Sequence, residues 1–359
     1  MKFLKKFFNR FKNETEDIHL SRYSGVERIK RIAGYSVPGL LHDGSDYTFC
    51  NMDIYEDGLV DCGERVDLEG LEAGINSEKY VFEIPDHAEL SFPKLGCWRI
   101  YEGRWLYNKD SYYEHLVEVL KVLNPELENL YSCHGKTSIV VDDVEIPSLG
   151  EVDGYPIIKA DEDDYFSERF KGERFAAFLK RGDDEYCLTS VCVFADSSIT
   201  LSLTDQLVSI SIEEFLAKVT NGDIVSNIPL ESKVIIFGLG EFRVSECIDC
   251  GNIQEVADEL IDWVSKLNGE KTRTMRCYDA FIEYMTTPTV ATREALKTRY
   301  ELVPGHLRGY TTGNIEYRDI PIRIILYGEQ EIELWDEYVI AKSEERELPT
   351  ITVPRPVDE

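Results

Sequence analysis

The strongest constraint on the fold is that the sequence repeats itself at low identity. VDLEGLEAGI at 66–75 aligns with ISIEEFLAKV at 210–219, and most of their apolar positions coincide at an offset of 144 residues. With no gap, the same offset aligns LGCWRI at 95–100 with LGEFRV at 239–244. A shared register over roughly seventy residues indicates two tandem copies of one domain.

Each copy is predicted to have the same order of strands and helices. Copy one is assigned to 45–133 and copy two to 184–277. In each copy two strands precede a short helix, at 68–76 and at 212–220, and further strands are followed by a longer amphipathic helix. Grouped strands covered by helices predict an α+β fold with a mainly antiparallel sheet.

The rest of the chain is assigned by composition and periodicity. These segments are a basic amphipathic helix at 1–12, a connecting segment at 13–44, an inter-repeat segment at 134–183, a small α+β unit at 278–341 and a tail at 342–359. The small unit is predicted to contain a helix that begins at Thr289 or Thr292. It is then predicted to form a hairpin in DIPIRIILYGEQEIELW, with Gly328 at the turn.

The charge of the chain limits the kind of partner. Asp and Glu number 68 and Lys and Arg 39, so the net charge is −29. Because the first twelve residues carry five basic side chains and no acid, the remainder has a charge of −34. Such a surface repels nucleic-acid phosphates and anionic lipids and favours a basic protein partner. We expect no direct nucleic-acid binding and no cofactor.

The nine cysteines indicate the compartment. An odd number spread through apolar stretches is typical of reduced thiols in the cytoplasm, rather than of a disulfide framework. The one CxxC, formed by Cys247 and Cys250, lacks the second ligand pair of a structural zinc site. We interpret it as two ordinary buried cysteines, with a redox motif as the alternative. No metal site is predicted there.

An acidic cluster in copy one is the first candidate site. Its residues are Asp53, Glu56, Asp57 and Asp61, which two adjacent strands could bring to one face to bind a divalent cation or share a proton. Copy two retains one acid of the four, Asp196 at the position of Asp57. The alternative interpretation is a tight Asp-Gly turn surrounded by solvated acids.

An aromatic cluster is the second candidate site. Trp105, Tyr107 and Tyr112 lie close together in sequence, beside Arg104. Trp, Tyr and Arg carry much of the binding energy of protein interfaces, so these four residues are candidates for partner binding. The alternative is that the aromatic side chains pack a helix against the sheet.

The N-terminal segment MKFLKKFFNRFK is a third candidate surface. Helical spacing places five apolar residues on one face: Phe3, Leu4, Phe7, Phe8 and Phe11. Basic residues, among them Lys5 and Lys6, lie on the other. This face could contact an anionic membrane weakly or pack on the acidic body. The segment lacks the uninterrupted apolar core and cleavage site of a secretory signal.

The chain resembles bacterial domains of unknown function. The resemblance rests on DIYEDGLVDC, WLYNKDSYYEHLVEVL and NLYSCHG in copy one, and on REALKTRYELVPGHLRGY and DIPIRIILYGEQEIELW near the C-terminus. Some such domains are suspected of neutralising toxins in conflicts between bacteria. The resemblance therefore implies an immunity or adaptor role, and it supplies no catalytic motif.

These observations predict a non-enzymatic, cytoplasmic binding protein. Its most direct form is an immunity-type inhibitor that occludes a basic protein partner, with association aided by electrostatic steering. Two alternatives stay open. One is a metal-dependent hydrolase that uses the acidic cluster, and the other is a scaffold recruited to a membrane by residues 1–12.

Overall fold

The computed structural model describes most of the chain. The described residues are 23–28, 32–132, 135–147, 157–158, 171–202 and 207–357. The chain divides into two units, Met1–Val256 and Ala257–Glu359. In the described part of the chain, no helix is both long enough and apolar enough to cross a bilayer.

The first copy follows strand β1 (Ser24–Arg28). Its elements are β2 (Ile32–Asp43), β3 (Asp46–Tyr55), β4 (Val60–Asp61), β5 (Arg65–Val66), α1 (Leu68–Asn76), β6 (Tyr80–Val81), β7 (Glu89–Phe92), β8 (Gly96–Trp105) and α2 (Lys109–Leu123). Three short strands then precede copy two: β9 (Ser138–Val141), β10 (Val144–Pro147) and β11 (Ile157–Ile158).

The second copy repeats this order. Its elements are β12 (Lys171–Lys180), β13 (Glu185–Phe194), β14 (Ser198–Ser202), β15 (Leu207–Ser211), α3 (Ile212–Thr220), β16 (Ile224–Val225), β17 (Lys233–Ile236), β18 (Gly240–Cys250) and α4 (Ile253–Leu267). The predicted α+β class with a mainly antiparallel sheet is confirmed. Strands β2 and β12 lie before the segments at which the two copies were predicted to begin.

The strand pairings are the same in both copies. In copy one β3 pairs antiparallel with β2 and parallel with β7, and β7 pairs antiparallel with β8. In copy two β13 pairs antiparallel with β12 and parallel with β17, and β17 pairs antiparallel with β18. The copies are joined along two edges, by β8 with β18 and by β1 with β11. The duplication in sequence is therefore a duplication of topology.

Glycines allow close approach where β8 meets β18, a ladder that we call the seam. Gly96 pairs with Cys250 at one end of the seam, and Gly240 pairs with Trp105 at the other. A Cβ at Gly96 would overlap the carbonyl oxygen of Asp249, and one at Gly240 would lie 2.6 Å from the carbonyl oxygen of Arg104. The two equivalent glycines therefore allow the copies to pair.

Ion pairs across the seam are reciprocal. Arg99 of copy one pairs with Glu246 of copy two, and Arg243 of copy two pairs with Glu102 of copy one at 3.3 Å. Both the arginines and the glutamates are related by the offset of 144 residues. The seam therefore resembles the isologous interface of a two-fold dimer.

One hydrophobic core is shared by the two copies. Phe92 and Trp98 of copy one contact Phe178 of copy two, with ring centroids 5.7 Å and 5.9 Å apart. Phe242 of copy two stacks on Phe92. Because large aromatic side chains from both copies fill the same interior, the copies stabilise each other.

The capping residues explain where the short helices begin. Asp67 accepts a hydrogen bond from the backbone of Gly70 at the start of α1, and Ser211 forms a capping box with Glu214 at the start of α3. Such caps satisfy the free N–H groups of the first helical turn. Helices α1 and α3 occupy the predicted ranges residue for residue.

The second unit is helical. Beyond the part of α4 that it contains, its elements are α5 (Arg273–Thr286), α6 (Val290–Glu301), α7 (Ile320–Tyr327) and α8 (Asp336–Ser343), with 3-10 helices at Gly305–Tyr310 and Glu329–Leu334. Thr289 caps α6 and forms a capping box with Thr292, so the predicted start of this helix is confirmed. The tail is extended, and Tyr284 donates a hydrogen bond to the carbonyl oxygen of Pro354 at 2.8 Å.

The predicted C-terminal hairpin is wrong. Its first half forms α7, and its second half forms a 3-10 helix. Six of the eight residues of α7 are buried, and a short, nearly continuous apolar run of this kind is compatible with a buried strand as well as with a buried helix. The isoleucine-rich run therefore has the sequence pattern of a strand although it forms a helix. Gly328, with a φ of 112°, ends this helix instead of forming a hairpin turn.

Candidate functional site

The acidic cluster of copy one is divided among different partners. Asp53 is buried on β3 and receives two hydrogen bonds of 2.8 Å from the guanidinium of Arg174, and a third from the hydroxyl of Ser36. This is a bidentate ion pair, the geometry in which Arg binds carboxylates most strongly. Arg174 lies on β12, so the pair joins copy two to copy one.

The other three carboxylates serve local structure. Glu56 accepts a hydrogen bond from the backbone N–H of Ala33, and Asp57 accepts one from the backbone N–H of Leu59 in the tight turn. Asp61 pairs with Arg65 at 3.1 Å. The segment therefore forms the tight turn of the alternative interpretation, but the acids expected to be solvated around it are wrong in part, because Asp53, Asp57 and Asp61 are buried.

The metal-site alternative is wrong. Within the described ranges, no three Asp, Glu, His or Cys side chains lie close enough to hold a metal ion. The physical reason is that Asp53 faces Arg174 in the interior, whereas Asp57 and Asp61 face the β3–β4 turn and Arg65. A cation at Asp53 would also compete with a buried guanidinium.

The ion pair explains why the two copies differ in their acids. Ser36 pairs with Asp53 in the β2–β3 ladder, and Arg174 pairs with Cys192 at the corresponding place in the β12–β13 ladder. Copy one therefore supplies the carboxylate and copy two supplies the cation. Because the strand that carries Arg174 lies outside the predicted copies, an alignment of the copies alone does not reveal the partner.

A small solvent-open cleft of about 40 Å³, enough for a few water molecules, lies beside this ion pair. From copy one it is lined by Ser36, Phe49 and Asn51, and from copy two by Ser190 and Ile236, among others. Ser36 is shared by the cleft and the ion pair. The described side chains that line the cleft are apolar, hydroxyl or amide groups, so they offer no carboxylate, imidazole or amine for proton transfer.

The predicted aromatic patch is mostly internal. Tyr112 is 1% exposed and belongs to the core of α2, so its assignment to partner binding is wrong. Tyr107 stacks on His115 with ring centroids 4.9 Å apart, and Trp105 stacks on Phe242 at 6.1 Å. Both are half-buried and pack on the shared core. The spacing of these aromatics therefore reflects how α2 and the seam pack.

Arg104 is the exposed member of that group. Its side chain is 69% exposed and lies 3.5 Å from Glu241 across the seam. Because Arg104 is exposed and Glu241 also pairs with Lys233 at 2.7 Å, the Arg104 pair contributes little to stability. Arg104 is therefore the one residue of the predicted patch whose charged group is open to solvent.

The prediction of two ordinary buried cysteines is wrong at the CxxC, and the alternative of a redox motif stays a prediction. Cys247 and Cys250 form a disulfide at the end of β18, with Cα atoms 6.1 Å apart. Cys250 is exposed and Cys247 is half-buried. Elsewhere in the described ranges, burial raises the pKa of the thiols of Cys62 and Cys187 to about 11 and that of Cys277 to about 12, so these thiols are poor nucleophiles.

The N-terminal candidates are not among the described residues. Phe3, Leu4, Lys5, Lys6, Phe7, Phe8 and Phe11 all lie outside the described ranges. Their contact with a membrane or with the body stays a prediction from the sequence.

Comparison with known families agrees with the repeat seen in the fold. The model of one domain of unknown function, DUF7638, matches residues 22–127 and again residues 161–271. The chain belongs to the DUF7638 family. A second domain of unknown function, DUF7639, matches residues 272–351. No curated protein sequence and no solved structure matches the chain significantly.

The two DUF7638 matches contain the features described above. Asp53 lies in the first match and Arg174 in the second, so the buried ion pair joins two members of one family within a single chain. Strands β2 and β12 both fall within the matches. Each DUF7638 copy therefore includes the hairpin that carries its half of the pair.

Proposed function

We propose that this protein is a non-enzymatic, cytoplasmic binding protein that occludes a basic protein partner, as an immunity protein neutralises a toxin. The observation that supports the proposal is an exposed acidic face on α1 and α2 of copy one, which we call the acidic face. Its residues are Glu69, Glu72, Asp110 and Glu114. An excess of one sign of charge on one face attracts a partner of the opposite sign over several ångströms.

The acids of this face are not neutralised by the described part of the protein. No Lys or Arg of the described residues lies within ion-pair distance of any of the four, whereas Glu118 on the same helix pairs with Lys121 at 2.6 Å. Helices α1 and α2 pack against each other, and burial together with the nearby carboxylate of Glu72 on α1 raises the pKa of Tyr113 on α2, so their outer surfaces adjoin. The four carboxylates therefore act together on an approaching cation.

The chemistry of the interior also favours binding over catalysis. Asp53 is held by Arg174 and Ser36, and the cleft beside it is lined by apolar and neutral polar groups. His115 is half-buried and stacks on Tyr107, and desolvation lowers its pKa to about 4. A histidine with so low a pKa is a weak general base near neutral pH.

The test uses the full chain and proceeds in two steps. The tagged protein is incubated with a lysate of its native host at low and at high salt, and captured proteins are identified. The association rate of the captured partner is then measured against ionic strength. We expect a basic protein whose association slows at least tenfold between about 50 and 500 mM salt, and whose own activity is lost when it is bound.

Matched charge reversals distinguish the effect of the acidic face on association from the effect of net charge. Glu69→Lys, Glu72→Lys and Glu114→Lys together should slow association at least tenfold more than Glu301→Lys, Glu345→Lys and Glu347→Lys, which change the net charge equally at exposed positions elsewhere. Equal slowing by both triple variants would contradict the role of this face. Recovery of no protein at either salt concentration would contradict the proposal itself.

A further inference from the structure

Helix α5 exposes an apolar stripe. Its members are Met275, Tyr278, Ile282 and Met285, and each is between 38% and 51% exposed. At 100° per residue these four positions fall within about 80° of the helix circumference. They are distinct from the buried face of the same helix, which consists of Cys277, Ala280, Phe281 and Tyr284. The fold of the second unit therefore leaves this stripe uncovered.

The stripe continues onto a neighbouring loop. Tyr310 and Ile315 are 61% and 80% exposed, and a Cβ at Gly313 would lie 3.0 Å from the ring of Tyr278. The loop that carries them therefore borders the helix. Stripe and loop together expose on the order of 600 Å² of large side chains, at the upper end of apolar patches on monomeric proteins.

The charge at one edge of the stripe is neutralised within the protein. Asp279 flanks the stripe and is paired with Lys271 at 2.6 Å. A patch prepared for a basic partner would keep its flanking carboxylate unpaired. The neutralised edge therefore favours an apolar, uncharged binding surface on the partner. In this respect the patch differs chemically from the acidic face of copy one.

The spacing of the stripe is symmetric. Met275 and Met285 lie five residues on either side of Ala280, and Tyr278 and Ile282 lie two residues on either side. A symmetric row of this kind is complementary to itself when two helices run antiparallel, because residues at equal distances from the centre then face each other. Met275 would contact Met285 of the second copy, and Tyr278 would contact Ile282 of the second copy.

We propose that the chain forms a two-fold dimer in which α5 pairs antiparallel with α5 of a second copy of the same chain. Two such patches would bury on the order of 1,200 Å², at which the range of specific protein interfaces begins. The four apolar residues are separated by three, four and three positions, which is the spacing of the contact positions in paired helices. The observations behind this dimer come from the second unit alone, so the inference does not depend on the proposed function.

The first test is the mass of the full chain in solution. Sedimentation velocity between about 1 and 100 µM should show a species of twice 41.3 kDa that increases with concentration. Ile282→Arg places two charges in the two-fold interface and should raise the dissociation constant at least about 100-fold. Val339→Arg, at an exposed site of α8, should leave the dimer intact. A monomer throughout, or a dimer that tolerates Ile282→Arg, would overturn the proposal.

A second test does not depend on a destabilising substitution. A Tyr278→Cys chain and an Ile282→Cys chain are mixed and oxidised mildly with diamide, and cross-linked peptides are identified by mass. Antiparallel pairing predicts that the 278–282 cross-link between chains predominates over 278–278 and 282–282. Predominance of the two like cross-links would indicate parallel helices and refute the inference. The same mixture with Val339→Cys in place of Ile282→Cys should show little 278–339 product.

Discussion

At the scale of single residues, one buried ion pair accounts for the largest difference between the copies. Asp53 and Arg174 are separated by 121 positions in sequence and lie in different copies. The sequence shows that Asp53 is unusual, because copy two has Cys192 at its position. It does not show the partner, because two residues so far apart are brought together only by the packing of the copies.

Breaking this pair on one side should cost more than removing both members. Asp53→Asn or Arg174→Met alone leaves an unpaired buried group, and each should lower the free energy of unfolding by about 3–5 kcal/mol. Asp53→Leu combined with Arg174→Met replaces the pair with apolar side chains and should recover most of that loss. Urea unfolding of the single and double variants measures the coupling. Additive losses would show that the two residues act independently.

His115 should make the protein less stable in acid. Its pKa is lowered by burial from 6.5 to about 4, so the unfolded chain binds a proton that the folded chain excludes. The His115 contribution is therefore complete above about pH 6.5 and is lost as the pH falls toward 4, with a total of roughly 3 kcal/mol.

The pH effect can be assigned to this histidine by difference. Urea midpoints are measured at pH 7.5 and pH 5 for the natural chain and for His115→Phe, which retains a ring against Tyr107. The variant should lose less stability than the natural chain over this interval. An identical loss in both proteins would assign the pH dependence to other groups.

At the scale of elements, local signals determined which predictions succeeded. Helices α1 and α3 begin at side chains that cap the backbone, and such caps are visible in the sequence. Helix α7 was missed because a short, nearly continuous apolar run is compatible with a buried strand as well as with a buried helix. The partner-binding assignment of Tyr112 failed for a related reason: aromatic residues signal burial in a core as strongly as they signal an interface.

Gly96 should be the least replaceable glycine of the seam. Its φ is 111°, and a Cβ there would overlap the carbonyl oxygen of Asp249, so Gly96→Ala must separate β8 from β18. Gly44 is the matched control, because its φ is also positive at 66° but no neighbouring atom lies within 4 Å of the point that a Cβ would occupy. We expect Gly44→Ala to cost about 1 kcal/mol and Gly96→Ala at least about 3 kcal/mol, measured by urea unfolding. Similar losses in the free energy of unfolding would mean that a small backbone shift removes the overlap at Gly96 with little loss of stability.

At the scale of the whole molecule, the duplication is the feature that the sequence predicted best. The offset of 144 residues relates Gly96 to Gly240 and Arg99 to Arg243, and all four lie in the seam. What the sequence did not predict is that the copies share one core. Apolar periodicity shows that a strand has a buried face, but it does not show whether that face packs within its own copy or against the other.

The net charge should make stability depend on salt. Raising NaCl from about 20 to 200 mM shortens the screening length from about 20 to 7 Å and weakens repulsion among the excess acids. The urea midpoint of the natural chain should therefore rise. The Glu301→Lys, Glu345→Lys and Glu347→Lys variant has a net charge of −23, since each substitution adds two units, and should respond less. A midpoint that falls with salt would show that attractive pairs outweigh the repulsion.

The buried Asp53–Arg174 pair also determines which copies can pair with each other, within one chain or between two chains. Two first copies from neighbouring molecules would bring Asp53 against the serine at the position of Arg174, and a carboxylate would be enclosed without a cation. Two second copies would enclose an arginine beside a cysteine. Only a first copy with a second copy satisfies both charges. The difference between the copies at these two positions therefore favours the pairing of a first copy with a second copy over the pairing of two identical copies.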